Sequence, residues 1–338
     1  MAYIVSRDNT IETAPVVAQR SAVEVRDLVK TYAVGRGESF NAVDGLSFEV
    51  REGELFGFLG PNGAGKTTTL EIIEGLRDPS AGRTSVLGLD SVSDRVELKR
   101  RIGVQLQAAA YFDYLTLQEI LELFGSFYPV RRRPGELLEL VGLLDKRGAQ
   151  VRHLSGGQAR RFSIVAALVN APEVVFLDEP TTGLDPAARR TVWDVIQRIN
   201  REEGKTVVLT THYMEEAELL ADRIAIIDHG RIQAIDAPQA LIGRLAGTGA
   251  VRFATDQPVD LSQLERIADV IGAAQRNGTG VDGAGAFSYE LRGGDPDAVL
   301  PELLAFSQRA GVGLRALEVL RGTLEDVFLQ ITGRELRD

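Results

Sequence analysis

A glycine-rich loop between a predicted strand and a predicted helix constrains this chain more than any other feature. Residues 60–68 read Gly-Pro-Asn-Gly-Ala-Gly-Lys-Thr-Thr and fit the pattern G-x-x-x-x-G-K-[ST] at every fixed position. The apolar run 55–59 predicts a buried strand, and residues 67–75 predict a helix. Glycines let the backbone approach a polyphosphate, and the N–H groups at a helix start point towards it. The sequence therefore predicts a nucleotide phosphate site with Lys66 as its positive charge.

The composition limits the classes of protein to which the chain can belong. With 338 residues, 44% of them hydrophobic and 25% charged, it can bury a large core and form about two domains. The lack of cysteine excludes disulfides and thiolate metal sites, and the three histidines are too scattered for a ligand cluster. A net charge of −10 argues against nucleic acid as a partner. No run of 18 apolar residues occurs, so we expect no membrane span.

The residue patterns predict three segments. Residues 1–20 carry charges without an apolar core and are predicted to be a flexible leader. Residues 21–243 alternate strands and helices and include a helical insertion at about 108–160, where apolar residues adopt the spacing of helix faces. Residues 244–338 follow the order strand, helix, two strands, helix, strand, helix, which predicts a small α+β accessory domain.

Polar residues follow two further buried strands. Asp178 and Glu179 come directly after the apolar residues 174–177, and His212 follows the strand predicted at 206–209. Adjacent carboxylates at the end of a buried strand are costly unless a metal, a water or a partner compensates them. Ligands of open α/β sheets bind beyond the carboxyl ends of the strands. That position favours a functional role for His212, although a single histidine is more often structural.

Five motifs stand in order along the chain: the phosphate loop, Gln107, residues 154–158, residues 178–185 and His212. Residues 154–158 read Leu-Ser-Gly-Gly-Gln and lead into a helix predicted at 159–169. Together the motifs closely resemble the nucleotide-binding subunit of ATP-binding-cassette (ABC) transporters over about residues 23–245. The Leu-Ser-Gly-Gly-Gln signature makes the resemblance specific, because many unrelated NTPases share a phosphate loop. It implies an α/β P-loop fold with a mixed core sheet, an antiparallel β subdomain and a helical subdomain.

The resemblance also implies which residues bind the nucleotide. Tyr32 would stack on the adenine of ATP, since stacking needs a flat ring. The phosphates would be held by Asn62, Gly63, Ala64, Gly65, Lys66, Thr67 and Thr68. Mg²⁺ would be held by Thr67, Gln107 and Asp178, because hard oxygen donors suit that ion. Of the catalytic residues, Lys66 would bind phosphate, Glu179 would polarise the attacking water, and His212 would bond the γ-phosphate.

A second implication of the resemblance concerns assembly. The signature residues Ser155, Gly156, Gly157 and Gln158 would contact ATP bound to the opposite subunit of a homodimer, and Asp185 would link the two sites. ATP binding would close the dimer, and hydrolysis would remove the charge that holds it closed. Closure would be transmitted to a separate integral membrane permease through the helical insertion and the groove behind Gln107. The chain would then lie at the cytoplasmic face of the cell membrane, held there by the permease.

Residues 244–338 resemble one branch of this family, the daunorubicin-resistance type of drug-export ATPase. We therefore expect an ATPase that powers export of a small molecule, such as a drug, an antibiotic or a lipid. Two alternatives stay open: a non-transport cassette ATPase acting on ribosomes or DNA, and an importer ATPase with a regulatory C-terminal domain. Non-transport relatives generally carry two cassettes in one chain or a long coiled coil, and the sequence shows neither.

Overall fold

The computed structural model describes residues 4–5, 11–12, 20–35, 38–106, 111–112, 114–244, 249–267, 270–276, 287–293 and 296–333. The chain divides into two compact units. The first unit contains Met1–Phe58, Gly63–Thr211 and His229–Arg231, and the second contains Leu59–Asn62, His212–Asp228 and Ile232–Asp338. Each unit is described by itself.

The first unit combines strands and helices in alternation. Its strands are β1 (Ile4–Val5), β2 (Ile11–Glu12), β3 (Ser21–Gly35), β4 (Glu38–Arg51), β5 (Leu55–Leu59, whose last residue belongs to the second unit), β6 (Ala81–Val86), β7 (Leu89–Asp90), β8 (Ile102–Gln105), β9 (Val174–Asp178) and β10 (Thr206–Thr211). Its helices are α1 (Lys66–Ile73), α2 (Arg95–Arg101), α3 (Leu117–Ser126), α4 (Pro134–Leu140), α5 (Gly156–Ala166) and α6 (Pro186–Gln197). Short 3-10 turns cover Leu144–Lys146 and Val151–His153, and a π turn covers Arg198–Glu202.

An antiparallel sheet with the strand order β4-β3-β6-β7 forms one layer of this unit. In β4, the side chains of Leu46, Phe48 and Val50 are buried, whereas Ser47 and Glu49 between them are exposed. This alternation is expected of a strand with one face on the core and one in water. The alternating pattern in the sequence thus corresponds to a sheet covered on one face. The short strands β1 and β2, within the predicted leader, pair with each other.

Four neighbouring strands of a second sheet belong to this unit in the order β5-β10-β9-β8, and β9 pairs in parallel with both β8 and β10. Every residue of β9 and β10 is buried, as expected for parallel strands covered on both faces. In the register of this pair, Thr210 stands opposite Asp178. The polar residues that follow the two apolar runs therefore come together at one edge of the sheet. Strand β8 ends at Gln105. Gln107, which was predicted to bind Mg²⁺, lies outside the described residues.

The segment predicted to be a helical insertion, at about 108–160, contains helices α3 and α4, which contact each other and α5. A capping box starts α3: the Thr116 hydroxyl accepts from the N–H of Glu119, and the Glu119 carboxylate accepts from the N–H of Thr116. The buried face of α3 includes Leu117, Ile120 and Leu121. Across the part of the chain that the structure describes, no helix combines the length and the apolarity that a membrane span needs.

The second unit contains the remaining elements. These are α7 (Met214–Leu220), β11 (Arg223–Asp228), β12 (Arg231–Asp236, whose first residue belongs to the first unit), α8 (Pro238–Gly243), β13 (Gly249–Thr255), α9 (Leu261–Leu264), β14 (Val270–Arg276), β15 (Phe287–Gly293), α10 (Pro296–Ala310), β16 (Leu314–Leu320) and α11 (Leu324–Thr332). From β13 onward the element order is the one predicted from the sequence. Strands β14-β15-β13-β16 form an antiparallel sheet. Helices α9 and α10 share a buried apolar cluster with it, through Leu264 and Val299.

Helix α11 does not join that cluster; it packs on elements from before residue 243. Its residues Leu324, Val327 and Phe328 share a buried cluster with Ala217 of α7 and Leu241 of α8, among others. A capping box at Thr323 starts the helix, and Gly333 ends it with a φ of +70°. The boundary at 243/244 remains a prediction. A chain cut there would lose α11 and expose the apolar residues that it covers.

We expect Phe328→Ala to lower the free energy of unfolding by about 3–5 kcal/mol, because the ring is buried in this cluster and its removal leaves a cavity. Leu329→Ala, on the 42% exposed neighbour in the same helix, serves as a control and should change stability by about 0.5 kcal/mol or less. Thermal unfolding of the full-length variants measures both. Equal melting temperatures for the two variants would contradict the packing of α11.

Candidate active site

The phosphate loop is held by close backbone contacts on one side. Gly65 has a φ of +101°, and a Cβ atom there would lie 2.3 Å from the carbonyl oxygen of Ala42 in β4. The N–H of Gly230 donates to the carbonyl of Ala64 at 3.0 Å. A left-handed conformation and so close an approach both require glycine at position 65. The loop is therefore fixed by its surroundings just before α1 begins at Lys66.

Lys66 is buried beside two carboxylates. Its side chain is 4% exposed, and its Nζ lies 3.7 Å from Oε1 of Glu179. Burial lowers the pKa of Lys66, while the charges of Glu179 and Asp178 act in the opposite direction. The sequence prediction that Lys66 supplies the positive charge of the site agrees with this placement. Phosphate oxygens brought to the loop would meet a cation whose hydration has already been removed.

Asp178, the last residue of β9, is held by two hydroxyls. Its Oδ1 accepts from Oγ1 of Thr210 at 2.5 Å and from Oγ1 of Thr67 at 3.2 Å. Burial is the largest influence on this group and raises the pKa of Asp178, although both hydroxyl donors act to lower it. The carboxylate of Asp178 is thus aimed at the first turn of α1 in a site that favours a compensating cation.

Glu179 is held on both its backbone and its side chain. Its N–H donates to Oγ1 of Thr210 at 3.0 Å, and its Oε2 accepts from Oγ1 of Thr182 at 3.0 Å. The residue has a φ of +46°, which is uncommon for a side chain of this size and costs about 1–3 kcal/mol. The surrounding hydrogen bonds keep the Glu179 carboxylate between Lys66 and Thr182 despite this strain.

The donor set fits a Mg²⁺ ion. Thr67 and Asp178 present a hydroxyl and a carboxylate at one point beside the phosphate loop. Mg²⁺ in nucleotide sites usually takes one or two carboxylates and completes its shell with phosphates and waters. Residues 20–35, 38–106 and 114–244, among the other described ranges, contain no cluster of three or more His, Cys, Asp or Glu that could bind a metal. A Mg²⁺ ion that binds phosphate oxygens and waters does not need such a cluster.

Tyr32 lies half-buried on β3, where its ring stacks on Phe40 of β4 at a centroid distance of 5.7 Å. Two cations, Lys30 and Arg77, each lie 5.5 Å from the centre of the Tyr32 ring. An aromatic face flanked by cations suits a purine that carries a polyphosphate. The structure therefore keeps Tyr32 and Phe40 together as candidates for the adenine contact.

We expect Tyr32→Ala to weaken ATP binding by roughly 1–3 kcal/mol, by analogy with base stacking elsewhere. Phe40→Ala should have a smaller effect, since it removes the support of the ring and leaves the ring itself. Val34→Ala changes a 61% exposed apolar residue of the same strand and is the control. Binding of a fluorescent ATP analogue measures all three. Unchanged affinity in Tyr32→Ala would move the adenine contact to another residue.

The signature motif forms the start of α5. The Ser155 hydroxyl accepts from the N–H of Gln158 at 3.3 Å, and Oε1 of Gln158 accepts from the N–H of Ser155 at 3.0 Å. This capping box makes Gly156 and Gly157 the first helical residues, so α5 begins earlier than the helix predicted at 159–169. The side chain of Gln158 also accepts from Lys146 at 3.3 Å. In this structure Gln158 therefore caps its own helix.

Asp185 lies beside this motif. Its carboxylate caps α6 by accepting from the N–H groups of Ala187 and Ala188 at 3.0 Å and 2.9 Å. One shallow cavity of about 360 Å³ is lined by residues 155–158 and by Asp185. A Cβ at Gly157 would lie 3.0 Å from the Cβ of Ala188, so glycine permits the close contact of α5 with α6. The structure thus brings the signature residues and Asp185 together at one cavity.

Two of the residues predicted for the site cannot be assigned to the clusters described above. His212 directly follows β10 in the second unit, where its ring lies 4.2 Å from that of Tyr213. Gln107 lies outside the described residues. Sequence reasoning also missed Thr210 and Thr182, which orient the two carboxylates. In the sequence, Thr210 was marked only by its place near the end of a buried strand, and Thr182 only by its place in the loop after Glu179.

Comparison with known proteins shows the family. The family model described as ABC transporter matches residues 43–182. A Nod factor export ATP-binding protein I from Ralstonia nicotianae is 39% identical over 331 residues, which are 96% of this chain and 98% of the relative. A protein with the same name from Sinorhizobium fredii is 40% identical over 324 residues, covering 94% of this chain and 88% of the relative.

Solved structures confirm the predicted cassette fold. A dimeric ATP-binding cassette in a post-hydrolysis state with ADP and Pi has a TM-score of 0.58 and 29% identity, covering 64% of this chain and 98% of that chain. An ATP-binding subunit of an ABC transporter matches with a TM-score of 0.58 and 28% identity, covering 65% of this chain and 92% of that chain. Because the family model matches and relatives about 40% identical cover almost the whole chain, this chain belongs to the ABC transporter family as an ATP-binding subunit.

Proposed function

We propose that this chain is the ATP-hydrolysing subunit of an exporter whose membrane-spanning permease is a separate protein. The proposed ATP hydrolysis rests on one observation: Lys66, at the start of α1, makes a buried contact with Glu179 beside Asp178. The export direction is supported by relatives named for Nod factor export, which match this chain over nearly all of its length.

For ATP binding, we propose that the backbone of residues 62–68 and the Lys66 ammonium hold the phosphates, and that Tyr32 stacks on adenine. Thr67 and Asp178 would hold Mg²⁺, together with Gln107. The ion supplies charge neutralisation at the phosphate oxygens when bound. Glu179 would accept a hydrogen bond from the attacking water and polarise it, because its carboxylate is held by Thr182 and lies close to the phosphate loop.

We propose that two copies of the chain form a head-to-tail dimer with two ATP molecules between them. The exposed cavity beside residues 155–158 would receive the γ-phosphate of ATP held by the partner copy, where the N-terminal N–H groups of α5 favour negative charge. Asp185 would link the two sites. His212 would bond the γ-phosphate of its own subunit. The dimeric state of a similar solved cassette supports this arrangement.

Among exporters, we propose the drug-export branch represented by the daunorubicin-resistance type, with a drug, an antibiotic or a lipid as cargo. The names of the relatives add Nod factor to these candidates. The chain would lie at the cytoplasmic face of the membrane, bound to the permease through the helical segment that contains α3 and α4. A cavity of about 570 Å³ in the first unit, beside α3 and α5, offers the contact surface.

The experiment is purification of the full-length tagged chain from its native membranes in the presence of ATP. One integral membrane protein should copurify, and vesicles containing the pair should move cargo outward from the ATP-bearing side. Copurification with ribosomes and no membrane protein would favour the non-transport alternative. Cargo movement in the opposite direction would favour the importer.

A further inference from the structure

One hydroxyl, that of Thr210 in β10, contacts both acidic residues at the end of β9. Oγ1 of Thr210 accepts from the N–H of Glu179 at 3.0 Å and donates to Oδ1 of Asp178 at 2.5 Å. Thr210 is 0% exposed, and Asp178 and Glu179 are 4% and 6% exposed, so water does not compete for these hydrogen bonds. The two neighbouring acidic residues are therefore tied to a single side chain of the next strand.

The direction of each of these hydrogen bonds follows from the groups involved. An amide N–H can only donate, and a threonine hydroxyl has one hydrogen of its own to donate. Because Oγ1 of Thr210 accepts the N–H of Glu179, its own hydrogen is left for Oδ1 of Asp178. The separation of 2.5 Å is typical of a hydroxyl that donates to a carboxylate. Thr67, the other donor to Asp178, is itself proposed to bind Mg²⁺, whereas Thr210 is not.

The same hydroxyl supports the strained backbone of Glu179. The φ of +46° lies in a region that a side chain of this size rarely adopts. This conformation brings Oε1 of Glu179 to 3.7 Å from Nζ of Lys66, and Oε2 to 3.0 Å from Oγ1 of Thr182. Without Thr210, the N–H of Glu179 would lose its acceptor, and a buried N–H without an acceptor is costly. The loss would favour a relaxed backbone that carries the Glu179 carboxylate away from this position.

We propose that Thr210 is a positioning residue for ATP hydrolysis. Its hydroxyl couples the carboxylate proposed to hold Mg²⁺, that of Asp178, to the carboxylate proposed to polarise the attacking water, that of Glu179. The inference rests on the proposed function, since it takes those two roles as given. Groups that orient the ligands of a metal commonly change metal affinity or activity by about 10- to 100-fold when they are removed. A threonine that only filled the core would affect stability and leave both quantities unchanged.

The test compares two variants of the full-length chain: Thr210→Val, which keeps the shape and loses the hydroxyl, and Thr210→Ser, which keeps the hydroxyl. In Thr210→Val, kcat should fall by about 10- to 100-fold, and the Mg²⁺ concentration that half-saturates binding of a fluorescent ATP analogue should rise by about 10-fold or more. Affinity for the analogue in EDTA should stay within about twofold, because Lys66 and the phosphate-loop backbone are intact. Thr210→Ser should bring both altered quantities to within about threefold of the wild-type values, since serine has the same donor and acceptor.

Thr206→Val is the matched control for loss of a buried hydroxyl. Thr206 is 3% exposed and lies at the other end of β10, where its Oγ1 accepts from the N–H of Gly53 at 2.9 Å. Thr206→Val and Thr210→Val should lower the melting temperature to a similar extent, because each removes the acceptor of one buried backbone N–H. Only Thr210→Val should change kcat and the Mg²⁺ requirement.

A double variant tests the coupling itself. At saturating Mg²⁺, Glu179→Gln with Thr210→Val should hydrolyse ATP no more slowly than Glu179→Gln alone, because the base on which Thr210 acts is already lost. Its Mg²⁺ requirement should still rise, through Asp178. Rate losses that multiply in the double variant would show that Thr210 does not act through Glu179, and the inference would be wrong.

Thr210→Ala, a smaller side chain without the hydroxyl, repeats the comparison if Thr210→Val does not fold. Wild-type kcat and Mg²⁺ requirement in the variant without the hydroxyl would overturn the inference, while the proposed function would stand. If the wild-type chain hydrolyses no ATP, the proposed function itself fails. The Mg²⁺ titration would still test the contact of Thr210 with Asp178 in that case.

Discussion

Glu179→Gln is expected to lower ATP hydrolysis by about 10² or more, the typical scale for loss of a general base, and to leave the chain as an ATP-bound dimer. The amide oxygen can still accept from Thr182, and the backbone hydrogen bond to Thr210 does not involve the side chain. The geometry of the site is therefore kept, while the negative charge that we propose to polarise the attacking water is lost. With the γ-phosphate uncut, the proposed contacts of the signature residues with the partner's ATP should persist.

Two measurements on Glu179→Gln separate these effects: the rate of phosphate release, and light scattering in saturating ATP and Mg²⁺. Asp178→Asn is the matched control, because it removes one charge from the neighbouring carboxylate. It should lose Mg²⁺-dependent binding and form no dimer, since Asp178 is the acceptor for Thr67. Hydrolysis at the parent rate in Glu179→Gln would show that Glu179 is not the base. A monomer that still binds ATP would contradict the two-site dimer for the isolated subunit.

Lys66→Ala is expected to abolish ATP hydrolysis and to weaken nucleotide binding by about 30-fold to several thousand-fold, the scale for truncating one partner of a buried charge pair. The substitution removes the side-chain cation of the phosphate loop. It also leaves Asp178 and Glu179 as two buried carboxylates without the charge that stabilises them both. Phosphates would then approach a site of uncompensated negative charge.

Lys205→Ala, on a lysine outside the site, is the control for loss of charge. Binding of a fluorescent ATP analogue and the rate of phosphate release measure both variants, and thermal unfolding shows that each is folded. Near-normal turnover in Lys66→Ala would refute the assignment of the phosphate site. Loss of folding in Lys66→Ala alone would assign the lysine a structural role in holding the two carboxylates.

Local patterns predicted the parts of the site that depend on neighbouring residues. The phosphate loop was recognisable because its fixed glycines, its lysine and its flanking elements are contiguous in the sequence. Asp178 and His212 were placed at strand ends because buried parallel strands are continuous apolar runs. The order of elements from β13 to α11 followed from changes in the spacing of apolar residues along the sequence.

Other features depend on contacts between distant segments, and no local pattern reports them. The close approach of Gly65 to Ala42 requires β4 to pass beside the phosphate loop. The hydroxyl of Thr210 orients Asp178 only because β10 pairs with β9 in that register. In the sequence, Glu74 is an ordinary polar residue directly after α1, and its burial becomes visible only when β8 and α5 are in place. The strained φ of Glu179 has no sequence signal, since the residue type argues against it.

The placement of α11 has a consequence for how the protein is made. The cluster around Leu241 and Ile224 closes only when Leu324, Val327 and Phe328 have left the ribosome. At ordinary rates of translation, that interval lasts on the order of 10 seconds. During it, α7, α8 and β11 present apolar side chains to the cytosol, where chaperones and proteases act on such surfaces. Variants that loosen α11 should therefore reduce the amount of protein in the cell even where every ATP-binding residue is intact.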